Sequence, residues 1–114
     1  MSAPLYQAQA EFFRALGHPV RIRVPELLQN GPLPVRNLLI STEVEASNLS
    51  QQLAILRRSG IVSATREGST VMYALVSADV AGLLRTTRRI LTDVIAVRGE
   101  LPAKPREVKA ERLR

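Results

Sequence analysis

Glu45-Ala46-Ser47-Asn48-Leu49-Ser50-Gln51-Gln52-Leu53-Ala54-Ile55-Leu56-Arg57-Arg58-Ser59-Gly60 reads as one helix with two different faces. Leu49, Leu53 and Leu56 fall at i, i+4 and i+7 and so share a buried stripe. Ser47, Asn48, Ser50 and Gln51 point outward from the first turns, and all are small or neutral polar. A face needed only for solubility would be filled with Glu and Lys, which are better helix formers. Neutral amides and hydroxyls suit hydrogen bonding to base edges, where donor and acceptor are read together. Gly60 follows as the residue just past the helix, free of the Cβ penalty in the left-handed region. A polar surface helix with no partner accounts for this stretch equally well taken alone; its flanks tip the balance.

Upstream, Thr42-Glu43-Val44 joins the polar-faced helix to a brief helix over 35–41, in which Leu38 and Leu39 are the apolar, inward residues. A short helix, a tight connection and a second helix with exposed neutral polar residues form a helix-turn-helix pattern. Before it, Asn30-Gly31-Pro32 is turn chemistry, and Leu33-Pro34-Val35 is a short extended piece. A helix over 20–29 places Ile22, Leu27 and Leu28 inward and Arg21 and Arg23 outward. Pro25 interrupts it; an interior proline costs about 3 kcal/mol and predicts a bend or an early 3₁₀ turn there. His18-Pro19 breaks the chain from the preceding helix over 5–17, whose apolar side carries Leu5, Ala8, Phe12, Phe13 and Leu16.

Downstream of Gly60 the apolar period changes from that of a helix to that of a strand. Residues 61–66 alternate, Glu67-Gly68-Ser69 turns, and residues 70–75 alternate back, with Val71, Tyr73 and Leu75 on one inward face. The tip presents Arg66 and Gly68 with small polar neighbours such as Ser69, as expected for a loop lying over a phosphate backbone or in a minor groove, though an ordinary solvent-exposed hairpin has the same composition. Ser77-Ala78-Asp79 supplies a helix start, and a long helix covers 80–98. Its apolar residues Val80, Leu83, Leu84, Leu91, Val94 and Ile95 make a face wider than one small core can cover, while Arg85, Arg88 and Arg89 take the polar side. Pairing with the first helix and with a second copy of the chain would bury the excess. The expected dimer interface is Phe12, Phe13, Leu84, Leu91, Val94 and Ile95. From Gly99 on, Pro102, Pro105 and alternating Lys, Arg and Glu read as a solvated basic tail, disordered or helical near its end.

Composition bounds the function. A length of 114 residues fits one domain, here 1–98, followed by the tail 99–114. A formal net charge of +6 favours a polyanionic partner, most simply nucleic acid, although ribosomal or membrane-surface binding would give the same number. With no cysteine there is no disulfide, no thiolate metal site and no thiol redox sensor. One histidine and no close carboxylate pair leave no nucleophile–base or acid–base arrangement, so an enzyme is not expected. No apolar run reaches membrane-spanning length and the opening Met1-Ser2-Ala3-Pro4 has no leader character, which predicts a cytoplasmic protein.

Three blocks together resemble the arsenical-resistance-repressor (ArsR/SmtB) family. Phe13-Arg14-Ala15-Leu16-Gly17-His18-Pro19-Val20-Arg21-Ile22-Arg23 is similar to that family's F-x-A-L-x-H-P-x-R-x-x-I-L opening. Residues 47–62 resemble its S-x-V-S-x-H-L-x-x-L-x-x-A-G-L-V segment, and Arg66-Glu67-Gly68-Ser69-Thr70-Val71-Met72-Tyr73 its R-x-G-R-x-x-x-Y wing. The blocks run in the family's order and spacing over roughly residues 5–95. The resemblance implies a mainly α fold with a β-hairpin wing, a winged helix-turn-helix of order α-α-α-α-β-β-α. It also implies a homodimer, paired through its first and last helices, that represses transcription from a pseudo-palindromic operator. By the same resemblance Ser47, Asn48, Ser50, Gln51 and Gln52 map onto the recognition helix and Arg66, Gly68 and Ser69 onto the wing. His18 maps onto the family's His-Pro as a structural residue.

The departures bear on the signal. Metal-sensing members carry Cys-x-Cys before the recognition helix, where this chain reads Arg36-Asn37-Leu38-Leu39-Ile40-Ser41. Zinc-sensing members use Asp and His on the last helix, where this chain has Asp79 and Asp93 without a histidine. No metal or cofactor is therefore expected, and the effector is left open; Phe12, Phe13 and Leu91 read as dimer core rather than as a ligand pocket. The expectation is a sequence-specific repressor in which Arg57, Arg58, Arg66 and the tail hold phosphates. The alternative is a winged helix that docks a protein partner without reading sequence.

Overall fold

The computed structural model describes residues 3–99. In chain order it contains α1 (Ala3–Leu16), α2 (Pro19–Leu27), a 3₁₀ turn (Leu28–Asn30), β1 (Leu33–Pro34), α3 (Val35–Thr42), α4 (Ala46–Arg58), β2 (Val62–Glu67), β3 (Thr70–Leu75) and α5 (Asp79–Arg98). The fold is mainly helical with a small antiparallel wing. Contacts divide the chain into two compact units, the first ending at Ala81 and the second beginning at Gly82, inside α5. Apart from Gly99, the tail expected over 99–114 lies outside the described residues.

The first unit is built on aliphatic side chains, as the scarcity of aromatics requires. Leu16, Val20, Val24, Leu28, Leu38, Leu49, Leu53, Leu56, Ile61 and Val62 are buried together with Tyr73 from the wing. The buried stripe is Val20 and Val24 on α2 continued by Leu28 in the 3₁₀ turn, one residue in four, whereas Ile22 and Leu27 are only half-buried. The expected break at Pro25 is displaced: α2 continues through it to Leu27, and the 3₁₀ turn follows over Leu28–Asn30. The proline ring is fully buried. Removing that apolar surface from water offsets the hydrogen bond that Pro25 cannot donate to the carbonyl four residues earlier.

Between α3 and α4 the chain turns through Glu43, which sits in the left-handed region at φ 58° and donates its N–H to the Leu39 carbonyl at 3.1 Å. At the other end of α4, Gly60 has φ 76°. Its N–H bonds the Arg57 carbonyl at 3.1 Å, and the Ile61 N–H bonds the Leu56 carbonyl at 3.0 Å. This pair of bonds is a Schellman motif, and Leu56 and Ile61, which flank it, are both buried. The helix therefore stops at a fixed place and delivers the chain into β2.

β2 and β3 pair antiparallel from Val62↔Leu75 to Glu67↔Thr70, leaving a two-residue turn at Gly68-Ser69. Gly68 has φ 66°, while Ser69 is not among the positive-φ residues, the pattern of a type II′ hairpin turn. The short extended piece at Leu33-Pro34 becomes a third strand: Leu33 pairs with Tyr73 and Pro34 with Met72, giving the order β1-β3-β2. A proline is tolerated in this two-residue edge strand because no further strand needs its N–H. Since α3 begins at Val35, the wing is fastened by backbone bonds directly to the start of the helix-turn-helix.

The second unit is the remainder of α5. Thr86, Thr87 and Thr92 return their hydroxyls to the carbonyls of Gly82, Leu83 and Arg88, and Ile90, Leu91, Val94 and Val97 are exposed. Among the described residues no helix is long and apolar enough to cross a membrane.

Candidate nucleic-acid interface

α4 separates its side chains as the leucine spacing requires. Leu49, Leu53 and Leu56 are buried, while Ser47, Ser50 and Gln51 are exposed on the opposite side of the first turns. Asn48 lies at the edge of this face, half-buried. Arg57 and Arg58 are exposed in the last turn of α4. Arg66, at the far end of β2, and the turn residues Gly68 and Ser69 are exposed at the tip of the wing. A neutral polar helix face and a hairpin tip that carries an exposed arginine are the two parts that a base-reading, phosphate-gripping surface needs.

Gln52 is a correction. Expected to face the duplex, it is only 7% exposed and belongs to the buried face of α4. It lies three residues from Leu49 and four from Leu56, so helical geometry puts it among them whatever its polarity. Burial is tolerated because both ends of its amide are satisfied. Oε1 accepts a hydrogen bond from Arg21 Nη1 at 2.7 Å, and Nε2 donates to Asn48 Oδ1 at 2.9 Å.

Arg21 is the second correction. Expected to point outward, it is half-buried and folds back over the end of α1. Its Nε donates to the Ala15 carbonyl at 2.6 Å and its Nη2 reaches the Arg14 carbonyl at 3.4 Å. These carbonyls belong to the last turn of a helix, where no intrahelical partner remains and a cation is favoured. Position in the sequence carried one clue: Arg21 borders the buried Val20 and Val24. Of the residues expected at the dimer interface, Leu84 is 7% exposed. Of the remainder, Phe13 is 51% and Leu91 52% exposed, Val94 is exposed, and Phe12 and Ile95 are half-buried. Phe12 and Phe13 meet edge to face, ring centroids 5.9 Å apart.

His18 is the N-cap of α2: extended at φ −152°, it accepts the Val20 N–H on Nδ1 at 3.1 Å. Burial, and then the neighbouring Arg21 charge, hold its pKa below the ordinary value of 6.5. Among the described residues no three His, Cys, Asp or Glu side chains stand close enough to hold a metal ion.

The chain's similarities agree with this geometry. Residues 18–64 match the family model described as bacterial regulatory protein, arsR family. An uncharacterized HTH-type transcriptional regulator of Mycobacterium tuberculosis, Rv0081, is 47% identical over 98 residues, covering 85% of this chain and 86% of the relative. Its crystal structure superposes with a TM-score of 0.76 over 85% of this chain and 98% of that one, at 46% identity. The transcriptional repressor SmtB homolog of Synechocystis is 39% identical over 85 residues, 75% of this chain and 64% of the relative. The homodimeric winged helix-turn-helix DNA-binding domain Mb0332 of Mycobacterium bovis gives a TM-score of 0.73 at 27% identity, covering 82% of this chain and 86% of that one. The helix-turn-helix over α3 and α4, the wing joined to it and these likenesses converge: the chain belongs to the arsR family of bacterial regulatory proteins and is a winged helix-turn-helix, DNA-binding transcriptional regulator.

Proposed function

We propose that the protein is a cytoplasmic repressor that binds an inverted-repeat operator as a homodimer. The observation that carries this reading is the division of α4: buried leucines hold the helix while Ser47, Ser50 and Gln51 stand exposed and uncharged, with Asn48 at the margin. In a major groove these side chains read base edges, each good contact contributing roughly 1–3 kcal/mol of discrimination. Arg57 and Arg58 at the end of α4, and Arg66 with Gly68 and Ser69 on the wing, grip phosphates on either side. Two-fold pairing is supported by the exposed Phe13 on α1 and Leu91 and Val94 on α5, apolar surface that a second copy covers along with Phe12 and Ile95. It is supported too by the homodimeric state of the Mycobacterium bovis relative. A dimer sets two α4 helices about 34 Å apart, one turn of duplex. Repression is supported by the name of the Synechocystis relative; a dimer seated across a promoter blocks polymerase by occupancy. The basic tail over 99–114, outside the described residues apart from Gly99, adds salt-dependent affinity.

Gel shifts on an operator and on random duplex test the reading. Binding is expected to fall steeply with salt and to prefer an inverted repeat. Gln51→Ala is expected to lower the preference for the operator about tenfold while leaving non-specific binding nearly unchanged. Equal loss on both duplexes removes Gln51 from base reading. A protein-docking winged helix shows neither the salt dependence nor the repeat preference.

A further inference from the structure

We propose that Arg21 and Gln52 are positioning residues that fix which end of the Asn48 amide faces the duplex, so that Asn48 offers an NH2 group to an acceptor on a base edge. The proposal rests on α4 being the recognition helix, and adds to it a rule for one contact.

The polarity follows from donor and acceptor chemistry. A guanidinium carries five N–H donors and no acceptor. The end of the Gln52 amide that meets Arg21 Nη1 at 2.7 Å is therefore its oxygen. The NH2 of Gln52 must then face the other way, where it meets Asn48 at 2.9 Å. An NH2 group only donates, so Asn48 turns its oxygen inward. What remains for Asn48 to present outward is its own NH2. Among the described residues no buried side-chain nitrogen or oxygen lacks a partner, so this unbonded NH2 lies at the surface.

The chain of amides is held at its inner end. Arg21 is held in place, its Nε anchored on the Ala15 carbonyl at 2.6 Å. Gln52 is buried, and Asn48 sits four residues before it on the same side of α4. A free asparagine rotates its amide and pairs with adenine through both ends. Asn48 has its oxygen engaged and its donors free, which favours a base that shows acceptors in the major groove: the O6 and N7 of guanine or the O4 of thymine.

Gln52→Glu inverts the relay without changing its shape. One carboxylate oxygen still accepts from Arg21, but the other can only accept as well. Asn48 must now turn its NH2 inward and present its oxygen. Selection of binding sites from randomised duplexes is carried out with the full-length wild-type chain, Asn48→Ala and Gln52→Glu. Asn48→Ala is expected to erase the preference at one base pair of each half-site. At that same pair Gln52→Glu is expected to exchange guanine or thymine for cytosine or adenine, whose amino groups donate, with a preference of about tenfold in the new direction. The same base chosen by wild type and Gln52→Glu overturns the proposal. Asn48→Ala selecting the wild-type site also overturns it, while leaving α4 as the recognition helix. A wild-type chain that selects no sequence overturns both.

A second measurement does not depend on DNA or on the folding of a variant. In the NMR spectrum of the wild-type protein the side-chain NH2 of Gln52 is expected to exchange slowly with water and that of Asn48 quickly. The reverse pattern overturns the proposal.

Discussion

His18 bridges the break between α1 and α2 with a single ring nitrogen. Nδ1 accepts the Val20 N–H, so it must be unprotonated, and burial and the Arg21 charge both disfavour the imidazolium. The folded chain thus resists a proton that the unfolded chain takes up near 6.5. The stability this contributes is complete above that pH and is lost as the pH falls through the lowered folded value. His18→Asn keeps a side chain that caps a helix but does not titrate. Chemical denaturation across the mildly acidic range is expected to show wild type losing more stability than His18→Asn; parallel curves would assign the acid sensitivity elsewhere. His18→Ala, which has no cap, is expected to cost about 1 kcal/mol at neutral pH. The His-Pro pair was legible in the sequence because proline announces a break. The Arg21–Gln52–Asn48 relay was not. The resemblance placed Gln52 on the recognition helix beside the exposed residues, and nothing in the sequence shows the guanidinium that makes its burial tolerable.

At the scale of elements, α4 has a strong stop and the turn before it a weak one. Gly60 closes α4 with both Schellman bonds and needs no side chain in the left-handed region. Glu43, closing α3, occupies that region with a full side chain at φ 58°. A left-handed conformation costs a non-glycine residue roughly 1–2 kcal/mol. Glycine avoids this but gives up about 0.5–1 kcal/mol in chain entropy. Glu43→Gly is therefore expected to raise stability by about 0.5–1 kcal/mol, seen as a higher denaturation midpoint with an unchanged slope. A destabilised variant would mean that the Glu43 side chain contributes something its backbone does not reveal. The elements most readily read from sequence were those with a sustained period: α1, α4, the hairpin and α5. β1 was legible only as an extended piece. A two-residue strand has no period, and its partner Tyr73 lies forty residues on.

For the whole molecule the wing can report how many chains meet one duplex. Phe13, Leu91 and Val94 are exposed in the single chain, more apolar surface than the end helices need for solubility. Arg66, exposed on the wing of each chain, serves as the counter. Each phosphate neutralised on B-DNA contributes about 0.9 to the slope of log affinity against log salt. If one chain binds, Arg66→Ala lowers the slope by about 0.9; if two bind symmetrically, the same substitution acts twice and lowers it by about 1.8. The larger change is expected, measured by fluorescence anisotropy over a salt series on one operator duplex. Leu91→Glu places a charge on the apolar stretch of α5 and is expected to yield monomers in sedimentation velocity. Arg66→Ala made on that background should lower the slope by only about 0.9. No change in either background would take the wing off the phosphates, and a change of about 0.9 in both would leave the regulator reading DNA one chain at a time.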